Sequence, residues 1–437
     1  MVYNILEGDY KNGKRVSNMK SVCIVTNFSQ NFSAYSLCIV NERIMKMLVE
    51  NEYKISVVVM ESFKAEGIYE DPNVELIRIP QIKCHNEWKD ESDIEIVEDS
   101  QAIYDVLSKH FNEKKIDCVI SHDLFFQTAT QKLDNACRRI AKDFLNIRWL
   151  HWVHSCATDG KKREKFPNSF VVYPNSYDIP RVARAFGYEE DEIKVVPHPI
   201  DICGFFDMHP LSEKIIKKYN ILDADVIMTY PLRLDRGKQP EMCIKTMKQL
   251  KKLGKKTRLI FMDFHSTGGD KAKYREELKT MAIDGGLNSD EVIFVSEQDP
   301  SLKLEAPRKM VKDFMEISNV FIQPSRSETF SLVAQEAMVT GNFCILNFDF
   351  APMRSIYGNN PLYRKFSSTI DITNGLDGNT ETTYGNEDNY FKDIAGYICY
   401  VLETERTTAQ RTIVRQTMNL KAVFKKYLEP LLYYSGR

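Results

Sequence analysis

The sequence predicts a two-domain α/β protein built on parallel sheets. Three observations carry that prediction. The chain has 437 residues, and at ~100–200 residues per domain two domains are the natural expectation. Short apolar, β-branched runs alternate with longer stretches whose apolar residues recur at helical spacing, the pattern of βαβ units. The alternation then starts afresh near residue 225.

Residues 1–19 are polar and read as a flexible extension. The first strand is SVCIVTNF, starting at Ser21, and an amphipathic helix follows over Leu37–Val49. ISVVVM (55–60) and VELIRIP (74–80) are further strands. A helix is expected near 99–113, a strand at DCVISHD (117–123), a helix near 127–144 and a strand at IRWLHWVHS (147–155). The acidic stretch 86–100 reads as a solvated loop and helix start. SFVVYPNS (169–176) and IKVVPHPI (193–200) flank a helix at Ile179–Phe186. In the second half, DVIMTYPLRL (225–234) is a strand and PEMCIKTMKQLKKL (240–253) a helix that Gly254 stops. RLIFMDF (258–264), EVIFVSE (291–297) and NVFIQPS (319–325) are strands, SLVAQEAMVTG (331–341) is a helix, and FCILNF (343–348) is the last clear strand. Residues 366–390 read as a loop and 391–434 as helical. The domains are expected at 20–204, completed by the C-terminal helix of about 420–437, and at 205–419. Open parallel sheets bind ligands at the carboxyl ends of their strands, so two such sheets facing each other place a ligand in the cleft between them.

Composition narrows the function classes. Hydrophobic residues make up 43% and charged residues 27%, an ordinary globular balance. A net charge of -2 excludes nucleic-acid binding by bulk electrostatics, although a local basic patch such as GKKREKF (160–166) remains. The 10 cysteines are scattered without a C-x-x-C pair, which reads as reduced, buried thiols. No run approaches the ~18 apolar residues of a spanning helix. A cytoplasmic protein is expected, with peripheral membrane contact left open.

The strongest chemical signal is NVFIQPSRSETFSLVAQEAMVTG (319–341). A strand runs into a loop carrying Glu328, and the following helix carries Glu336. The helix opens at Phe330, Ser331 and Leu332, where backbone N–H groups offer an anion site suited to a diphosphate. Glu336 can accept hydrogen bonds from a ribose diol, and Glu328 can face a sugar. In MTYPLRLDRGKQPEMCIKTM (228–247), Arg233 and Lys238 occupy the loop after the first strand of the second half, where cations would stabilise a departing diphosphate. Arg236 is an alternative partner.

The segment around Glu328 and Glu336 resembles the E-x7-E motif of glycosyltransferase family 4. That resemblance implies the GT-B fold, two Rossmann-like parallel-sheet domains facing across a cleft. It further implies a retaining transfer from a nucleotide sugar, with Glu328 against the donor sugar, Glu336 on the ribose, and Arg233 and Lys238 on the diphosphate. Uridine is the base expected from the family. EIKVVPHPID (192–201) is similar to the family's interdomain stretch, with His198 and Pro199 in place of Asn and Gly. A His after a similar strand in the first domain meets the donor sugar or reacting centre; His154 is the better match and His151 the runner-up. His122, Asp123 and Ser155 are candidates for the same cleft. The family's Gly-Gly pair after the first strand is missing from NFSQNFSAYS (27–36), where Ser33 and Ala34 are the small residues.

The expected function is therefore a metal-independent, hexosyltransferase-like retaining glycosyltransferase that needs no cofactor, the nucleotide sugar being a co-substrate. The expected acceptor is a glycan or glycolipid. A hydroxymethylated pyrimidine of DNA is the second option. A non-catalytic nucleotide-sugar-binding protein and a sugar-phosphate epimerase of the same fold are the rival classes. A metal site of His151, His154 and Cys156 lacks a second ligand pair and is not expected.

Overall fold

The computed structural model describes residues 21–83, 91–124, 128–155, 164–263, 271–326, 328, 330–349, 351–366 and 386–433. The N-terminal extension, most of GKKREKF, Cys156 and most of the 366–390 loop lie outside the described residues. The chain divides into two units, one comprising residues 1–200 together with 420–437 and the other residues 201–419.

The first unit holds a seven-stranded sheet: β1 (Ser21–Val25), β2 (Lys54–Met60), β3 (Val74–Ile79), β4 (Cys118–His122), β5 (Arg148–Trp152), β6 (Ser169–Tyr173) and β7 (Ile193–Val195), in the order β3-β2-β1-β4-β5-β6-β7. Neighbouring strands pair in parallel. The helices are α1 (Ser36–Glu50), α2 (Asp93–Lys114), α3 (Gln131–Asp143) and α4 (Ile179–Phe186). β1 shows why its run is continuously apolar. Cys23 and Val25 face the core shared with Ile103, Leu107 and Ile140 of α2 and α3, while Val22 and Ile24 face the core shared with Ile44 and Leu48 of α1. A strand covered on both faces has no solvent side for polar residues. α2 starts at Asp93, earlier than its apolar spacing suggests. Ser92 and Glu95 form a capping box there, with the Ser92 side chain accepting from the Glu95 N–H and the Glu95 carboxylate accepting from the Ser92 N–H.

The second unit holds six strands: β8 (Val226–Tyr230), β9 (Thr257–Phe261), β10 (Val292–Phe294), β11 (Val320–Gln323), β12 (Phe343–Asn347) and β13 (Leu362–Arg364), in the order β10-β9-β8-β11-β12-β13. These pairs too are parallel. Its helices are α5 (Ile202–Phe205), α6 (Pro210–Lys218), α7 (Pro240–Lys252), α8 (Lys271–Asp284), α9 (Arg308–Ile317), α10 (Leu332–Val339), α11 (Ala351–Tyr357), α12 (Glu387–Thr404) and α13 (Arg406–Thr417). β12 is thus not the last strand. β13 is only three residues long, too short to show a period in the sequence, and β12 pairs with it through Ile345–Leu362, Leu346–Tyr363 and Asn347–Arg364.

The chain then returns to the first unit. α14 (Leu420–Val423), a π-helical turn at Phe424–Leu428 and α15 (Glu429–Tyr433) lay Leu420, Val423, Phe424, Leu428 and Leu432 into the core beside α1. The Tyr53 hydroxyl donates to the Tyr433 hydroxyl at 2.7 Å, and Arg148 Nη1 donates to the Leu431 carbonyl at 3.2 Å. Each large apolar side chain buried this way contributes ~1.5–3 kcal/mol. Among the described residues no helix is long and apolar enough to cross a membrane. The described cysteines are all free thiols, seven of them buried and Cys399 half-buried.

Both sheets wind outwards from their middle in two directions. In the first the switch lies between β1 and β4, in the second between β8 and β11. The carboxyl ends of these four strands are where doubly wound sheets hold ligands.

Candidate functional site

In the second unit the β8–α7 and β11–α10 loops meet at the switch. β8 ends at Tyr230, and its hydroxyl donates back to the Lys238 carbonyl at 2.9 Å, fixing the loop between them. Gln239 is fully buried in the left-handed region, at φ 52°, immediately before Pro240 opens α7. Its amide donates to the Pro324 carbonyl. Its Oε1 accepts from Arg326 Nε at 3.3 Å, and the Arg326 N–H donates to the Gly237 carbonyl at 2.9 Å. The two loops are therefore locked to each other through main chain and one buried amide.

That lock sets the Lys238 ammonium against the Glu328 carboxylate as an ion pair, with both side chains mostly shielded (16% and 17% exposed). Arg233 is half exposed and its Nε lies 3.4 Å from Asp235 Oδ2. Arg236 turns elsewhere: it pairs with Glu277 of α8 at 2.6 Å and covers the Tyr274 ring. Of the two candidate arginines, the structure ties Arg236 to α8.

α10 begins at Leu332, so the N–H groups of its first turn have no partner inside the helix. Ser331 caps it from a left-handed conformation, φ 66°. Its hydroxyl accepts from the Ala334 N–H at 3.3 Å and donates to Gln323 Oε1 at 2.7 Å. The Tyr357 hydroxyl donates to the carbonyls of Phe330 and Ser331, at 3.2 and 3.0 Å. Phe330 and Leu332 are exposed, at 40% and 63%. Glu336 projects one turn further along and pairs with Arg308 of α9 at 2.7 Å. Next to this loop, Gln323 Nε2 and Ser325 Oγ are buried without a partner. Such groups are costly to leave unsatisfied.

In the first unit the switch gathers histidines. His122 ends β4, and Asp123 turns the chain in the left-handed region at φ 48°. The Asp123 N–H donates to the Trp152 carbonyl at 3.1 Å and its carboxylate accepts from the His154 N–H at 2.9 Å. His122 Nδ1 lies 3.0 Å from His154 Nε2. The His198 ring stacks on His154 at 5.4 Å between centroids. Arg43 of α1 donates to the Pro199 carbonyl at 2.8 Å. Burial, then the neighbouring His198, pushes His154 down to about 4. Burial, then His154 and His198, holds His122 well below the usual imidazole range, and burial followed by Arg43 lowers His198. Burial pushes the Asp123 carboxyl up to about 6, against the lowering effect of its bond from His154.

His151 is not part of this group. Its position on β5 points it to the opposite face, 1% exposed, where Nδ1 bonds Ser121 Oγ at 2.8 Å and the ring packs on Phe166. It belongs to the core, and burial pushes it down to about 3. Ser155 is exposed just after His154, and Ser33 and Ala34 form an exposed turn between β1 and α1. Among the described residues no group of three His, Cys, Asp or Glu side chains is placed to hold a metal ion.

Several participants escaped the sequence reading. Gln239, Arg326, Tyr357 and Arg308 fall outside any charge motif. Gln323 did leave a signal, a polar residue closing the apolar run VFIQ, and so did His198, which interrupts VVPHPI.

Residues 212–360, about a third of the chain, match the family model for glycosyl transferases group 1. That match covers both loops of the second unit's site and supports a glycosyltransferase. The two Rossmann-like parallel-sheet units are the architecture of GT-B enzymes. Among solved structures, a glycosyltransferase from Rickettsia africae aligns at 14% identity over 96% of this chain and 100% of its own, with a TM-score of 0.36. HepE of Anabaena, solved with UDP-glucose, aligns at 13% identity over 94% of this chain and 99% of its own, with a TM-score of 0.33. WaaG, a glycosyltransferase of lipopolysaccharide biosynthesis, aligns at 12% identity over 92% and 99%, with a TM-score of 0.30. No curated protein matches the sequence.

Proposed function

We propose that the chain is a retaining glycosyltransferase that moves a sugar from a UDP-sugar to a hydroxyl acceptor, a glycan or glycoconjugate. The observation that carries this reading is the Lys238–Glu328 ion pair at the switch point of the second sheet, inside the segment that matches the glycosyl transferases group 1 model. With the donor bound, Lys238 and Arg233 offset the charge that develops on the departing diphosphate, together with the first turn of α10 at Phe330, Ser331 and Leu332. Stabilisation placed where charge appears only in the transition state accelerates the step. Two cations and a helix N-terminus supply this charge, so the mechanism calls for neither a metal ion nor a cofactor.

Glu328 releases Lys238 to the diphosphate and turns to the hydroxyls of the donor sugar. Glu336 takes the ribose diol, exchanging its exposed partner Arg308 for the ligand. Retention follows from attack on the face that the diphosphate leaves, with the leaving phosphate oxygen taking the acceptor proton. His154 stands just past the carboxyl end of β5 in the first sheet, and the family resemblance is what assigns it to the donor sugar or reacting centre.

Turnover of UDP-sugars by the wild type, Lys238→Ala and Glu328→Ala tests the reading. The expected result is loss of transfer in both variants with the fold intact. Wild-type rates in both would sink it.

A further inference from the structure

Backbone strain in this protein is not spread evenly. Among the described residues, eight other than glycine have positive φ. Glu52, Lys115, Asn168, Asp207 and Asn220 are exposed and turn the chain in water. The buried ones are Asp123, Gln239 and Ser331. They follow β4, β8 and β11, strands that border the two sheet switches. Strain held inside the fold at such places points to a function for the residue that bears it.

Gln239 is the least suited of the three. A left-handed backbone crowds Cβ against the following carbonyl, and short polar residues such as Asp tolerate it best. Pro240, next in the chain, restricts the position further. Glycine would meet this turn without steric cost. The side chain must therefore supply something that glycine cannot.

What it supplies is a tie between the two loops. Gln239 is fully buried, so its amide cannot turn to solvent. The amide donates to the Pro324 carbonyl and accepts from Arg326 Nε at 3.3 Å. The Tyr230 hydroxyl donates to the Lys238 carbonyl, the oxygen of the peptide that joins Lys238 to Gln239. Lys238 is one residue from this tie and Glu328 two residues beyond Arg326. Gln323, beside Pro324, accepts from the Ser331 hydroxyl that caps α10. A lysine ammonium rides on a flexible four-carbon stem, so only the root of the side chain can be held in place.

We propose that Gln239 is a positioning residue. It holds the root of Lys238 in register with the Glu328 loop, so the ammonium passes from the carboxylate to the departing diphosphate by side-chain rotation alone. This role rests on the glycosyltransferase reading above.

Release of UDP from UDP-glucose, UDP-galactose and UDP-N-acetylglucosamine, with water as acceptor, tests the role on the full chain. The wild type is expected to release UDP from at least one of them. Gln239→Met keeps the side-chain volume and the left-handed backbone but neither hydrogen bond. Gln239→Gly also loses both bonds and relieves the backbone, which guards against loss of the fold in the first variant. Each should lower kcat by about 100-fold, the size of effect that a small misplacement produces. The KM for the donor should stay near the wild-type value, as expected when only the transition state loses a contact. In a Lys238→Ala background, Gln239→Met should cost nothing further, because its effect passes through Lys238. Wild-type kcat in the folded variants overturns the proposal. So does a raised KM with kcat unchanged, or a loss as large without Lys238 as with it. No UDP release by the wild type from any of the three donors would instead sink the glycosyltransferase reading, and the role of Gln239 with it.

Discussion

His122 Nδ1 and His154 Nε2 are 3.0 Å apart, and Asp123, the residue between β4 and its loop, accepts from the His154 N–H. Two neutral imidazoles joined by one proton have no room for a second. A proton added to either ring would face the other ring and His198 in a site that burial already makes hostile to charge.

That arrangement predicts an acid sensitivity with a definite sign. His154 binds a proton near 6.5 in the unfolded chain and only near 4 in the folded one, so its stabilisation is complete above 6.5 and is lost as the pH falls towards 4. Asp123 works against it: its raised folded value, about 6, favours the folded state as pH falls from 6 to below 4. His122 and His198 act in the same direction as His154. Melting temperatures between pH 7 and pH 4.5 should therefore fall less steeply in His154→Gln than in the wild type. Parallel curves would show that the pair does not titrate as described.

The Lys238–Glu328 pair makes a kinetic prediction. Lys238→Ala should lower kcat for sugar transfer by about 100–1000-fold, the usual cost of removing a transition-state charge partner. Glu328→Gln should lose less, because the amide still bonds sugar hydroxyls. A bystander pair would leave kcat alone in both. Donor hydrolysis without acceptor should also be measurable; a protein that only binds nucleotide sugars would show none.

Glu336 should act on binding. Saturating UDP at about 100 times its dissociation constant adds ~2.7 kcal/mol of stability. Glu336→Ala should reduce that thermal shift markedly, and Arg308→Ala should leave it intact or enlarge it by freeing the carboxylate. Equal shifts in wild type and Glu336→Ala would remove the ribose role.

Phe424 is 1% exposed in the core beside α1. Phe424→Ala should cost ~3–5 kcal/mol in the first unit, read as an earlier urea transition. UDP affinity measured below that transition should be unchanged, since the donor residues belong to the other unit.

Much of this organisation was legible in the sequence because it rests on local patterns. The strands of both sheets are apolar runs with helical stretches between them, and parallel strands buried on both faces leave that trace. Lys238 and Glu328 are each legible from their own motifs, but their ion pair is not, because it depends on the convergence of the loops after β8 and β11 at the switch. What escaped has physical reasons. β13 has three residues and no period to read. Gln239 joins two loops 85 residues apart through one buried amide, and a lone glutamine carries no sign of such a tie. His151 and His154 are three positions apart in one strand and its extension, so they leave opposite faces. The pleat decides between them, and it sent His151 into the core.

The path of the chain sets an order of events during synthesis. β1 to β7 emerge from the ribosome before the second unit, yet one face of their sheet waits for Leu420–Leu432, which emerge after it. Until then Ile44, Leu48 and Tyr53 lack the aromatic and leucine side chains that cover them. The second unit lies wholly within the intervening stretch. It can finish folding while the first still exposes an apolar face, so the nascent protein should depend on chaperones at its first unit until Leu420–Leu432 have been made.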